Sequence, residues 1–359
     1  MKPTFVALDA RSVGRPHTGD ATYWTGLIRG LTRFDSDLRY LLFSNAPKPA
    51  EIPNTDRFRW IELPSRSDRW WSLVRFPLAA RRLGARAFHV QYNLSPLIRS
   101  GGVTTIHDVS FFHEPEWFRP RDRMLLQRFV PTSARRASRV VTVSQFSKSE
   151  IERYIPGLGD KVRVVPNACP DEIHAMDVAS ARQLLRDQLG LDGPYLLTVG
   201  TRWPRKNLNL AIEAVDSLPE SVAPRLVVTG KAGWGDERSS SRATSTGYVD
   251  NPTLSALYST ASLYLAPARY EGFGITLLEA FRAGCPVLAS DIPAHREVGG
   301  DAVTYAADND VAAWQTAIAQ LMGDDDRRQQ LVAAGRIRES KFTWIDAARQ
   351  TEAVYREVV

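Results

Sequence analysis

Cysteine is nearly missing from this chain: Cys169 and Cys285 are the only two in 359 residues. Two cysteines so far apart build neither a disulfide framework nor a zinc module, and they suit a reducing, cytoplasmic setting. Long apolar runs are missing as well. No stretch approaches the ~20 apolar residues of a membrane-spanning helix. The opening, Met1-Lys2-Pro3-Thr4-Phe5-Val6-Ala7-Leu8-Asp9, turns polar too soon for a signal peptide and reads as a first strand. There is no internal repeat and no low-complexity tract. No aromatic-basic strand motif, zinc signature or helix-turn-helix pattern speaks for nucleic acid, so none is expected as a partner. No D-x-D pair stands in a loop suited to a metal, and no metal or cofactor is expected.

What is present is an uneven charge. Residues 1–170 carry 27 Lys+Arg against 15 Asp+Glu, a net +12, while the remainder carries 19 against 25, a net −6. The basic half reads either as a surface for an anionic partner (lipid head groups, a phosphorylated acceptor, nucleic acid) or as a solvated face.

Short apolar runs alternate with helical patterns along the whole chain, which predicts α/β architecture with parallel sheets. Strands are expected at 4–8, 40–43, 59–62, 87–90, 103–106, 140–143 and 162–165, then at 195–199, 226–229, 263–266 and 287–289. Each half reads as a doubly wound unit, with ligands at the C-terminal ends of the strands. A chain of this length suits two domains. The boundary falls after Pro166-Asn167, giving domains 1–168 and 169–342.

The most informative segment runs from Glu271 through Gly272-Phe273-Gly274-Ile275 to Glu279. It follows a buried-strand run, Ser262 to Pro267, and leads into a helix that stops at Gly284. Glu271 therefore sits in a loop and Glu279 about one turn into the helix. Gly272 and Gly274 let backbone N–H groups approach a ligand, and a helix start favours phosphate or sugar oxygens. Ionised carboxylates accept from hydroxyls. This is a pattern for a nucleotide sugar, although a Glu near a helix start is also an ordinary dipole partner.

Glu271 to Glu279 resembles the E-x7-E motif of retaining glycosyltransferases of family four. Val199-Gly200-Thr201-Arg202-Trp203-Pro204-Arg205-Lys206-Asn207 is similar to the family's V-G-T-x-x-P-R-K-N. Further matches are Thr105-Ile106-His107-Asp108, Thr142-Val143-Ser144-Gln145-Phe146-Ser147 and Val164-Val165-Pro166-Asn167. They run in the expected order over nearly the whole chain. The resemblance implies a GT-B fold, two Rossmann-like domains facing across a crevice, with 1–168 for the acceptor and 169–342 for the donor. It further implies a last helix, 343–359, that crosses back onto the first domain.

By that resemblance, Arg205 and Lys206 neutralise a departing diphosphate, with Arg202 a second candidate. Glu271 meets the donor sugar hydroxyls and Glu279 the ribose. Phe273, Gly274 and Ile275 offer backbone N–H groups, and His107 stands by the reacting carbon. Gly19 would lie against the diphosphate, but the family's T-G-I-G-R-Y reads Thr18-Gly19-Asp20-Ala21-Thr22-Tyr23 here. An added carboxylate at Asp20 is unfavourable there unless it points away. The implied activity is metal-independent front-face transfer of a hexose, mannose by preference, from a GDP- or UDP-linked donor to a glycan or lipid-linked acceptor. A GT-B nucleotide-sugar epimerase is the rival enzyme.

One stretch, Arg69 to Leu83, mixes Trp70 and Trp71 with Arg69, Arg75, Arg81 and Arg82. It reads either as an interfacial membrane helix, which would place the protein peripherally on the inner face of a membrane, or as a core helix broken at Pro77. The resemblance favours the core helix.

Overall fold

The computed structural model describes residues 4–14, 19–50, 52–234 and 238–359. It divides into two compact units, Met1–Asn167 with Thr343–Val359, and Ala168–Phe342. Ala168, assigned to the first domain from sequence, belongs to the second unit.

The first unit holds seven parallel strands: β1 (Thr4–Asp9), β2 (Leu38–Ser44), β3 (Phe58–Glu62), β4 (Ala85–Gln91), β5 (Gly102–Thr105), β6 (Arg139–Thr142) and β7 (Val162–Val164). Their order is β3-β2-β1-β4-β5-β6-β7, so the winding reverses between β1 and β4. The central strands are apolar almost throughout: Val6, Ala7, Leu8, Leu41, Leu42 and Phe43 are fully buried. A parallel sheet covered on both faces requires such runs, since neither face meets water.

The last helix, Trp344–Arg356, is part of this unit and packs on the first, Gly19–Thr32. Glycine makes the approach close. A Cβ at Gly26 would lie 2.1 Å from the Trp344 ring, and one at Gly30 would lie 2.1 Å from the Trp344 carbonyl oxygen. Polar bonds fix the register: Tyr40 donates to Glu352 Oε2 at 2.6 Å, and Tyr355 Oη bonds His89 Nδ1 at 2.6 Å.

The 69–83 stretch is helical without a break at Pro77. Asp68–Trp70 leads into a wider π-helical turn, Trp71–Arg75, and then into Phe76–Arg82, where Pro77 occupies the first turn and needs no N–H bond. Trp71 is fully buried, stacks on Phe76 with centroids 5.3 Å apart, and donates Nε1–H to the Leu63 carbonyl at 2.7 Å. It is a core residue and cannot seat at a head group. Trp70 is 56% exposed.

The second unit holds six parallel strands: β8 (Tyr195–Val199), β9 (Arg225–Thr229), β10 (Ala243–Gly247), β11 (Leu263–Ala266), β12 (Val287–Ser290) and β13 (Thr304–Ala306). Their order is β10-β9-β8-β11-β12-β13, with the reversal between β8 and β11. The two edge strands are additions to the sequence reading. No helix is long and apolar enough to cross a membrane among the described residues.

Candidate active site

At the reversal point of the second sheet, β8 is followed by Gly200, whose φ of +143° suits only glycine. A Cβ there would meet Lys206 Cε at 3.3 Å, so the bare backbone leaves room for the lysine stem. The chain then forms a single 3-10 turn, Pro204–Lys206, and Asn207 adopts a left-handed conformation before the Leu208–Asp216 helix. Asn207 is held there by its side-chain amide, which donates to the Asp308 carbonyl at 2.8 Å. The turn is pinned from the loop after β11 as well, because Arg269 N–H donates to the Arg205 carbonyl at 2.8 Å.

This turn brings Arg205 and Lys206 onto Glu271. Arg205 Nη1 donates to Glu271 Oε2 at 2.8 Å and to the Tyr270 carbonyl at 3.2 Å; Lys206 Nζ donates to Glu271 Oε1. The Arg205 guanidinium also lies 5.2 Å from the centre of the Trp203 ring. Burial alone would push the Glu271 carboxyl up, but Lys206 and Arg205 reverse this and hold it down at about 2. Glu271 is thus an ionised acceptor clamped between two cations.

Three residues on, Gly274 caps the Ile275–Ala283 helix with φ +94°. The first-turn N–H groups of such a helix lack helical partners and attract anions. Phe273 turns its side chain into the core, packed edge-on against Phe342 with centroids 5.7 Å apart, so only its backbone is available to a ligand. Gly284 ends the helix in the left-handed region. Glu279, one turn in, is buried and accepts from Tyr258 Oη at 3.0 Å. Burial raises its carboxyl to about 7, against the pull of the Tyr258 hydroxyl and of Lys206. The two carboxylates of the motif therefore differ: one is fixed as an anion, the other titrates near neutrality. Arg202 is anchored through its backbone, its N–H donating to the Lys231 carbonyl at 3.1 Å.

His107 and Gly19 belong to the first unit. His107 follows β5, and its carbonyl accepts from Ser147 Oγ at 2.9 Å. Its Nε2 takes the Gln91 amide N–H at 3.0 Å, which leaves the ring proton on Nδ1. Burial lowers the pKa of the ring, while Asp20 and Asp108 pull it back up. Asp20 Oδ1 stands 3.9 Å from Nε2 and is half exposed. Tyr23 meets the ring edge-on at 4.9 Å, and its hydroxyl reaches Thr105 Oγ1 at 2.8 Å. Gly19 opens the first helix at the surface with no atom within 4 Å of a Cβ position. Thr18 lies outside the described residues.

Two residues here escaped the sequence reading. Tyr258 comes from the Asn251–Thr260 helix, and His295 from the short Pro293–Gly299 helix after β12. The only signal for His295 is its place just past a strand end, at the start of a helix opened by Pro293.

Two family profiles match this geometry's sequence: "Glycosyltransferase Family 4" over residues 18–208 and "Glycosyl transferases group 1" over residues 182–338. The chain belongs to glycosyltransferase family 4. It is 34% identical over 267 residues to the O-antigen chain mannosyltransferase B of Escherichia coli, covering 71% of this chain and 70% of that one. Among solved structures it is similar to sucrose-phosphate synthase from Thermosynechococcus elongatus, with TM-score 0.75, 20% identity, and 99% and 98% of the two chains covered. It is also similar to Anabaena HepE in complex with UDP and glucose, with TM-score 0.72, 17% identity, and 99% and 100% covered. These structures establish the fold, GT-B, with two Rossmann-like units. This family 4 member is a glycosyltransferase.

Proposed function

We propose that this glycosyltransferase moves a hexose, mannose by preference, from a nucleotide-diphosphate sugar to a glycan or lipid-linked acceptor, with retention at the anomeric carbon and without a metal. The observation that carries the reading is the Arg205–Glu271–Lys206 cluster beside the start of the Ile275–Ala283 helix. Charge accumulates on the β-phosphate as the glycosyl bond breaks. A guanidinium, an ammonium and a helix N-terminus, fixed before the reaction, stabilise that charge more in the transition state than in the ground state. Glu271, kept ionised, accepts from sugar hydroxyls, and Glu279 faces the ribose. Retention follows if the departing phosphate itself deprotonates the acceptor on the face it leaves. The first unit, whose residues 1–167 carry a net +12, takes the acceptor, with His107 beside the reacting carbon. Mannose is favoured by the Escherichia coli relative's activity, and a diphosphate donor by the UDP held in the Anabaena structure.

The basic half also supports peripheral contact with anionic lipid on the cytoplasmic side, now through Trp70 and the arginines without Trp71.

The test is Lys206→Ala. Charge-assisted bonds contribute about 1.5–3 kcal/mol each, so nucleoside-diphosphate affinity and turnover should both fall, turnover more. Product anomeric configuration, read by NMR, checks retention. Unchanged donor kinetics in Lys206→Ala would remove the cluster from the donor site.

A further inference from the structure

His295 is a fully buried imidazole set against the loop that carries Glu271. Its Nδ1 lies 3.0 Å from the Ser290 carbonyl oxygen, and a carbonyl only accepts, so the ring proton resides on Nδ1. Nε2 is then a bare acceptor, and among the described residues no protein group donates to it. The ring edge faces Gly274: a Cβ on that glycine would lie 3.2 Å from Cδ2 and 3.7 Å from Nε2. Any side chain at 274 would therefore crowd the edge that carries the lone pair. Burial drives the ring pKa down to about 4, with Glu271 opposing and Lys206 assisting, so the ring is neutral under ordinary conditions.

A neutral nitrogen lone pair repels phosphate oxygens and ionised carboxylates, which are acceptors themselves, and takes only O–H or N–H donors. We propose that His295 Nε2 accepts a hydrogen bond from one hydroxyl of the donor sugar, making His295 a specificity-determining residue alongside Glu271. This rests on the donor-site reading above. Gly274 supplies the open edge, Ser290 fixes the tautomer, and Glu271 accepts from other hydroxyls of the same ring.

The experiment pairs two variants with a set of monodeoxy hexose nucleotides. His295→Leu removes the acceptor, and His295→Gln can still donate to Ser290 while offering a carbonyl oxygen. A neutral hydrogen bond contributes about 0.5–1.5 kcal/mol, equivalent to roughly 2- to 12-fold in kcat/KM. Wild type should lose that factor with one particular deoxy donor. His295→Leu should lose it with the full donor and show no further loss with that deoxy donor, and His295→Gln should recover part of the discrimination. Affinity for free GDP and UDP should be unchanged in both variants. If both variants discriminate every deoxy donor as wild type does, the proposal is overturned. Weakened free-nucleotide binding in the variants would overturn it too, in favour of a ribose contact. Failure of the wild type itself to bind GDP or UDP would instead remove the donor-site reading.

Discussion

Replacing Glu279 with Gln tests whether the second carboxylate of the motif is held protonated by its burial. The unfolded chain releases this proton near the ordinary value of 4.5, whereas the native carboxyl holds it up to about 7. Between those values the native state binds more protons than the unfolded state, so its stability falls as pH rises. The slope is at most ~1.4 kcal/mol per pH unit, and over the full shift the loss is roughly 3 kcal/mol. Glutamine keeps an acceptor for the Tyr258 hydroxyl and removes the titration. The stability difference between Glu279→Gln and wild type should therefore move in the variant's favour by roughly 3 kcal/mol from about pH 4.5 to about pH 8. Urea denaturation at a series of pH values, followed by tryptophan fluorescence, reads this directly. Two parallel curves would show that the carboxyl titrates at its usual place. A gap moving the other way would mean that Lys206 outweighs burial.

Glu271 carries the opposite sign. Its folded-state value is depressed to about 2, so its contribution is complete above 4.5 and fades as pH falls toward 2. Glu271→Gln should lose most stability near neutral pH and leave free-nucleotide affinity largely intact while transfer collapses; calorimetry in the reverse order would exchange the two carboxylates' roles. Gly26→Ala sets a Cβ 2.1 Å from the Trp344 ring and should lower stability by about 1–3 kcal/mol, seen as a drop in Tm. An unchanged Tm would deny that the last helix packs as described. Substituting Ser for Arg69, Arg75, Arg81 and Arg82 should release the protein from anionic vesicles at low salt, at about 1 kcal/mol per arginine near the surface. Equal binding of wild type and variant would leave these arginines as a solvated face.

The central strands were legible because a covered parallel sheet writes continuous apolar runs, as in Val6 to Leu8 or Leu263 to Ala266. The edge strands β10 and β13 were not. Ala243-Thr244-Ser245-Thr246-Gly247 is half exposed and polar, and Thr304-Tyr305-Ala306 is three residues long, so neither carries a periodic signal. Pro77 misled for a local reason. A proline breaks a helix only where its N–H would be bonded, and here it sits in the first turn after a π-helical widening. The helix at 344–356 could be drawn from its pattern. That it packs beside the first helix depends on Gly26 and Gly30 admitting Trp344, a pairing across more than three hundred residues that no local spacing encodes.

The candidate site divides the same way. Arg205, Lys206 and Glu271 were each singled out from sequence, yet separately, as a diphosphate cradle and a sugar acceptor. Their joining into one cluster changes the chemistry: the cations set the charge state of the carboxylate, and the carboxylate orients the cations before any ligand arrives. Asp20 shows the converse. As a sequence letter it was an unwelcome charge beside a diphosphate. In its own unit it lies in the first turn of a helix, where a carboxylate is favoured, and stands 3.9 Å from His107 Nε2, where it counters the effect of burial on the imidazole. A departure from a family pattern is thus better judged by the charge it sets beside its neighbours than by the residue it replaces, and that neighbour is visible only once the loop after β5, which carries His107, has been set beside the helix that carries Asp20.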